Sequence, residues 1–598
     1  MCLRFRNCIL LSFIQKYKVR RRDNLKKLLP YMKKYIFFAI ASPILMILEV
    51  IADIVIPYLM SRIVDVGIAN RDIDYIVKVG LIMAGSALLG MLFGILSSHC
   101  GAKAGYGFAA EIRLATYQKV QKFSFANLDN FSVSSLITRL TNDCNTIGQV
   151  TMMSLRMAVR APFLMLFAVY MAFTINASLA RIFAVAIPIT AIAIFIILSK
   201  ARPLFKKLQT RVDRVNAIIQ ENLVGIRVVK SFNRQEHEEV RFEERNKDLK
   251  DTALSAVSKI ILLMPIANLI IYSVTISVLW FGGRQVVVGT MGGGELISFI
   301  TYNIQILMSL MMISFFFMQL LRGSASVGRV LEVMRTKSEI HEEKNPINEV
   351  RDGSVRFDNV YFRYPGSPEY ALKNINFEIK PGETLGIIGS TGSSKSTLVQ
   401  LLPRLYDVTE GAVLVGGEDV RNYNLEVLRD QVAFVLQKNI LFSGTLRENM
   451  QWGNENATDE QIIDALKQAQ AWEFVSKLED GLEHRVEQGG NNFSGGQKQR
   501  LSIARSLLKS PKIIILDDST SAVDMTTDAK IQQVFKEELK EITTIIIAQR
   551  ISSIQKADRI IVMNEGKIES LGDHETLMEN SPIYREIYVS QQKGVVGE

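Results

Sequence analysis

Six long apolar segments fill the first half of this chain, at residues 35–60, 75–100, 148–175, 178–199, 256–282 and 294–322. About 20 apolar residues are needed to cross roughly 30 Å of hydrocarbon as a helix. Lipid offers no partner for a bare backbone N–H or C=O, so segments of this kind cross as helices. Beyond residue 325 the pattern changes to short apolar strands, helices and polar loops. A chain of 598 residues is also too long for a single hydrophobic core. The fold class expected is therefore multidomain, an all-α six-helix transmembrane domain followed by an α/β domain. The expected boundaries are a basic segment at 1–34, the transmembrane domain at 35–330, a linker at 331–352 and the α/β domain at 353–590.

Charge sets the expected orientation. The net charge is +10, but the basic residues cluster at membrane flanks, with 11 Lys/Arg against one acid in residues 1–34. Segments 61–74, 175–177 and 283–294 carry two, zero and one Lys/Arg, whereas 101–147 carries five and 200–250 carries thirteen. Positive loops stay on the cytoplasmic side, which places both long loops, both termini and the α/β domain there. The run "CILLSFI" at 8–14 is too short for a signal-peptide core. This distribution fits a membrane surface and gives no basic stripe for nucleic acid. Cys2, Cys8, Cys100 and Cys144 have no metal-ligand spacing, and none lies in the second half.

The two long loops, 109–143 and 211–249, combine helical apolar spacing with heavy charge. They read as helices that leave the bilayer and present short turns to a cytoplasmic domain. Inside the membrane, Glu49 and Asp53 fall at i and i+4 on one helix face. Their readings are interhelical hydrogen bonding, a gate, or contact with a cation. Arg156 and Arg160 are expected to snorkel or to pair with acids.

In the second half, the short strand "TLGIIG" runs into Gly389, Ser390, Thr391, Gly392, Ser393, Ser394, Lys395, Ser396 and Thr397, and then into an apolar helix. Strand, glycine-rich turn and helix are the context of a phosphate-binding loop, G-x-x-x-x-G-K-[ST]. Its backbone N–H groups would surround the phosphates of a nucleotide, Lys395 would reach the β/γ-phosphates, and Ser396 would ligate Mg²⁺. Ser394 stands where the pattern has its second glycine, a position where backbone must approach ligand closely.

Three further motifs follow in order: "VLQKN" at 435–439, "FSGGQKQR" at 493–500 and "IIILDDSTSAVD" at 513–524. With them the chain resembles the ATP-binding cassette (ABC) exporters of type 1, in the half-transporter arrangement. The resemblance implies ATP and Mg²⁺ as cofactors and a P-loop nucleotide-binding domain. It implies that Tyr364 stacks on adenine and that Gln437 touches Mg²⁺. Ser494, Gly495, Gly496 and Gln497 match the signature that caps the γ-phosphate on the other subunit, and Asp524 lies in the loop that crosses the dimer interface. Asp517 matches the residue that organises the metal. The turns near 124–140 and 222–232 resemble the helices that dock on nucleotide domains.

The chain departs from the family in the catalytic positions. Asp518 stands where a glutamate usually polarises the attacking water, and it is one methylene shorter. Gln549 replaces the histidine of "IIIAHR", and glutamine cannot become cationic. Gln488 also replaces a usual glutamate before the signature. With Ser394, these residues predict a site that binds ATP and cleaves it slowly beside an intact signature. The resemblance is accordingly to the degenerate-site subunit of bacterial heterodimeric multidrug-type exporters. It implies a second half-transporter subunit as partner, a place in the bacterial cytoplasmic membrane and small amphipathic or lipid-like substrates. A homodimeric exporter, a nucleotide-gated channel and a regulatory subunit are the alternatives. Met308, Met311, Met312, Phe315, Phe316, Phe317 and Met318 crowd the sixth span, as helix packing or as an adaptable apolar lining.

Overall fold

The computed structural model describes residues 28–519 and 521–596. Most of the basic segment 1–34, including Cys2 and Cys8, therefore lies outside the described residues. The chain divides into two compact units. One comprises the residues up to Gln121 together with Val133–Thr336; the other comprises Lys122–Ser132 and the residues from Lys337 onward.

Among the described residues, the first unit contains six helical stretches long and apolar enough to cross a membrane: Leu29–Ile68, Ile73–Gln121, Val133–Ile175, Ala177–Val224, Gln235–Val287 and Gly293–Arg335. Each contains one predicted span. The shortest has 40 residues, about 60 Å at 1.5 Å per residue, twice the hydrocarbon thickness. Spans two and three meet through small residues. A Cβ added at Gly105 would lie 2.6 Å from the Gly148 carbonyl, and one at Gly148 would lie 2.9 Å from Ala109 Cβ. Such close backbone approach is how helices associate where burial of apolar surface gives no advantage.

Polar groups in this unit face one another. Arg160 of span three donates to Glu49 and, at 2.8 Å, to Asp53 Oδ2 of span one. One guanidinium thus bridges both acids, so pairing between helices is what the structure assigns to them. At the far end of span one, Asp65 Oδ1 accepts from the Gly294 N–H at 2.7 Å and Oδ2 from the Glu295 N–H at 2.8 Å. The carboxylate caps the start of span six, whose first N–H groups have no partner within the helix. It also explains the glycines there, since a Cβ at Gly292 would lie 2.4 Å from Asp65 Oδ2 and one at Gly294 would lie 2.9 Å from it.

The second unit is built on a six-stranded sheet in the order Lys567–Gly572, Arg559–Asn564, Thr384–Gly389, Thr543–Ile547, Ile513–Asp517, Val432–Val435. All neighbours are parallel except the first pair. Ile513–Asp517 and Thr543–Ile547 are buried at every position, as expected of parallel strands covered on both faces. Their alternation divides the core in two. Ile514, Leu516 and Ile546 join one apolar cluster, while Ile513, Ile515, Ile545 and Ile547 join the other. A second, antiparallel sheet runs Leu372–Ile379, Val355–Phe362, Glu410–Val415, Glu418–Asp419. The short helix Phe125–Asp129 belongs to this unit. Ala126 is buried in the second cluster, and Asn127 Nδ2 donates to the Lys337 carbonyl at 3.1 Å. The other predicted turn, near 222–232, forms the helix Ile226–Ser231.

Removing the Asp65 cap should destabilise the first unit by about 1–2 kcal/mol. Asp65→Ala should lower the thermal midpoint of the detergent-solubilised chain, and Asp65→Asn, which keeps one acceptor, should recover part of the loss.

Candidate functional site

Four loops converge because four parallel strands end together. Asp517 pairs with Ile547, Ile547 with Ile387, and Leu516 with Val435. The residues just beyond these strand ends are therefore neighbours: Gly389–Thr397, Gln437, Asp518 and Gln549. The carboxyl edge of a parallel sheet is where open α/β folds bind ligands.

The phosphate loop is closed and strained. Gly389 has φ +157°, and a Cβ there would lie 2.2 Å from the Met563 carbonyl. Ser394 sits in the left-handed region at φ +69°, ψ +26°, immediately before the helix Lys395–Gln400. That conformation costs a residue with a Cβ about 1–2 kcal/mol, so the missing glycine is felt as backbone strain. Lys395 Nζ donates to the Gly389 and Ser390 carbonyls, both at 2.9 Å. Burial pushes its pKa below the ordinary lysine value, with Asp517 and Asp518 opposing.

The carboxylates divide their partners. Asp517 Oδ1 accepts from Ser396 Oγ at 2.9 Å. This joins the two groups assigned to Mg²⁺ by the sequence, and a hydroxyl beside a carboxylate is a hard oxygen set of the kind Mg²⁺ takes. Among the described residues no cluster of three or more His, Cys, Asp and Glu forms a metal site. Asp518 has φ +51°. Its Oδ2 accepts from Gln549 Nε2 at 2.8 Å and from Gln437 Nε2 at 3.4 Å. Gln437, a metal contact in the sequence reading, is here a partner of Asp518. Burial raises the proton affinity of both Asp517 and Asp518 above the usual carboxylate range.

The signature lies outside this network. Ser494 caps the helix Gly495–Leu507: its Oγ accepts from the Gln497 N–H at 3.3 Å, and Gln497 Oε1 accepts from the Ser494 N–H at 2.9 Å. A Cβ on Gly496 would lie 2.7 Å from the Ala522 carbonyl, which accounts for a glycine there. Asp524 caps the helix Met525–Glu537 by accepting from the Thr527 N–H at 2.9 Å. Tyr364 lies on a cleft of about 790 Å³ that is also lined by Ala126, Ile340, Tyr406 and Thr409. Its hydroxyl hydrogen-bonds with Thr397 Oγ1 at 2.9 Å, and burial raises its pKa.

Comparison with known proteins agrees with this arrangement. Residues 39–310 match the ABC transporter transmembrane region, and residues 372–521 match the ABC transporter domain. The chain is 38% identical over 567 residues to the ABC transporter ATP-binding protein YfiB of Bacillus subtilis, covering 95% of this chain and 98% of that one. The chain belongs to the ABC transporter family. This ABC transporter is also 31% identical over 490 residues to the ATP-dependent lipid A-core flippase of Syntrophus aciditrophicus, covering 82% of this chain and 81% of that one. Its fold matches that of a bacterial Atm1-family ABC exporter solved with ATP bound, with a TM-score of 0.79, 24% identity, and coverage of 94% of this chain and 99% of that one. It is an ABC exporter half-transporter with an ABC ATPase domain and six membrane-spanning helices, and such halves work as dimers.

Sequence reasoning missed Gln499 in this transporter. Its Nε2 reaches Ser521 Oγ at 3.3 Å, and its Oε1 accepts from the Ala522 N–H at 3.1 Å, tying the signature helix to the segment after Asp518. Its signal is a glutamine placed on the buried face of "SGGQKQR", where an apolar residue would be usual.

The buried acids give a pH signature. Because the folded state raises the pKa of Asp517, its ionisation costs stability that is absent at low pH and grows as pH rises through the folded value. Asp517→Asn, which can still accept from Ser396, should raise the thermal midpoint at pH 7. That gain should shrink toward zero below about pH 4.

Proposed function

We propose that this chain is one half of a heterodimeric exporter, with a slow ATP site on its own phosphate loop and a signature that completes its partner's site. The geometry fits ATP and Mg²⁺. The Gly389–Thr397 backbone would surround the phosphates, Lys395 would turn from the Gly389 and Ser390 carbonyls to the phosphate oxygens, and Tyr364 would carry adenine. Ser396, Asp517 and Gln437 would hold the metal. Bound Mg²⁺–ATP supplies a phosphoanhydride whose cleavage is assisted by charge neutralisation.

The observation that carries the reading of a slow site is the state of Asp518. A general base must reach its water as well as bind a proton. Burial already raises the proton affinity of Asp518, so reach is the limiting quantity. Its side chain is one methylene shorter than glutamate, and Oδ2 is turned to the amides of Gln549 and Gln437. A displacement of about 1 Å costs roughly 10²-fold in rate. Gln549 then orients Asp518 by donating to it, and it carries no charge toward the γ-phosphate. Gln488 and Ser394 lean the same way. The signature, in contrast, keeps Ser494, Gly495, Gly496 and Gln497 on a helix start capped within the chain, with N–H groups and dipole suited to an anion.

ATP held without rapid cleavage would bias the access equilibrium by its difference in affinity for the two states. The transported compounds are hydrophobic or amphipathic, multidrug-type or lipid-like. The similarity to a lipid A-core flippase supports this class, as do the part-exposed Met308, Phe315 and Phe317 of span six, a deformable apolar face. Loop charge supports a bacterial cytoplasmic membrane location with both termini and the nucleotide domain cytoplasmic.

The purified chain alone in lipid should bind ATP and turn it over slowly; brisk homodimer turnover would overturn the division of labour. Asp518→Glu with Gln549→His should raise site-resolved hydrolysis by about 10²-fold, measured with the partner co-expressed and its own glutamate disabled.

A further inference from the structure

The C-terminal helix Pro582–Val596 packs one face on an apolar core of the second unit. Ile583, Tyr584, Ile587 and Tyr588 lie on that face, and Tyr584 is fully buried. Two bonds fix the start of the helix: the Tyr584 hydroxyl hydrogen-bonds with His574 Nδ1 at 2.7 Å, and Arg585 Nε donates to the Met578 carbonyl at 2.8 Å. Gln591 stands seven residues after Tyr584 and three after Tyr588, so it continues the packed face. Its amide is used at both ends. Nε2 donates to the Gln549 carbonyl at 2.8 Å, and Oε1 accepts from the Ile551 N–H at 2.9 Å. Those two main-chain groups belong to the loop that carries the Gln549 side chain to Asp518. The loop leaves the sheet at Ala548, whose N–H bonds to the Ile387 carbonyl, and at its far end Ser553 Oγ donates to the buried Asp528 at 2.6 Å. Between these points the Gln591 amide ties it to the C-terminal helix. Beside it lies a cleft of about 710 Å³ lined by Asp518, Gln549, Tyr588 and Gln591. That space would let the Gln549 side chain leave Asp518 if its main chain were free to turn.

We propose that Gln591 is a positioning residue for ATP cleavage at this chain's own site: by bracketing residues 549–551 it keeps the Gln549 amide on Asp518 Oδ2, so that the C-terminal helix holds the site slow. The proposal rests on the slow-site reading given under Proposed function. Asp518 falls short as a base in two ways. Its side chain lacks one methylene, and its Oδ2 is already engaged by the amides of Gln549 and Gln437. A carboxylate oxygen bonded to two amides must release one before it takes a proton from water. Length is fixed by the residue, but occupancy depends on where the Gln549 main chain sits. Gln591 sets that place at Gln549 itself and again two residues on. A planar amide that donates and accepts at once fixes the loop's orientation as well as its position.

The test is ATP turnover by the full chain in lipid nanodiscs. Gln591→Met keeps the length of the side chain and removes both hydrogen bonds. It should raise kcat by about threefold or more while ATP affinity stays within about twofold. A variant that merely loosened the fold would lose turnover instead. Gln549→Ala should raise kcat to a similar level, and adding Gln591→Met to it should change nothing further, because Gln591 acts through the Gln549 amide. Hydrogen–deuterium exchange reads the tie itself: in Gln591→Met the segment 548–553 should exchange about fivefold faster, with the strand Ile513–Asp517 at its wild-type rate. A lowered kcat in Gln591→Met overturns the proposal, as does a further rise in the double variant. Faster exchange of Ile513–Asp517 also overturns it, since Gln591 would then only hold the domain together. Brisk turnover by the wild-type chain overturns the slow-site reading and this proposal with it, whereas slow wild-type turnover left unchanged by Gln591→Met overturns this proposal alone.

Discussion

The parallel pairing of Ile513–Asp517 with Thr543–Ile547 is the contact on which the candidate site depends. It places Asp517 level with Ile547, and the neighbouring pairs place Ile387 and Val435 close to the same line. The phosphate loop and the segments that carry Gln437, Asp518 and Gln549 leave the sheet near that line. A slip of one residue would turn each strand's side chains to the opposite face, exchanging the two apolar cores and separating Ser396 from Asp517. "IIILD" and "TTIII" are buried at every position, so a slip would have to repack both apolar cores at once.

Asp518 sits at the end of this rigid edge, where three loops meet. Its main-chain N–H bonds to the Ile547 carbonyl, and its side chain accepts from glutamines on two other loops. A short carboxylate and a neutral amide thus satisfy each other at this position.

Much of this was legible in the sequence because it is written in local patterns. Six apolar segments gave six spans, and the strand–loop–helix around Lys395 gave the phosphate loop with its partners Ser396 and Asp517. What could not be read has no local pattern. Asp65 caps a helix that starts more than two hundred residues later, and Asp129 meets Tyr406 across a similar gap. Nothing in the residues near Asp129 marks that carboxylate as different from other exposed ones. The cap made by Asp524 is present in the sequence as an Asp three residues before a Thr at a helix start. At Ser394 the sequence shows a side chain where backbone approaches ligand, and the left-handed backbone adds a cost that no local pattern marks.

Spans one, two and three have a mechanical property that follows from their contacts. Arg160 fastens span three to span one, and Gly105 against Gly148 fastens span three to span two. Sliding either pair would strand a charge in a medium of low dielectric or drive a side chain into a neighbouring backbone. These three helices therefore behave as one rigid lever, and span six is locked to it through Asp65 and Tyr302 at span one and Arg329 at Asp143. Hinging between these four spans and spans four and five costs less than shear within them.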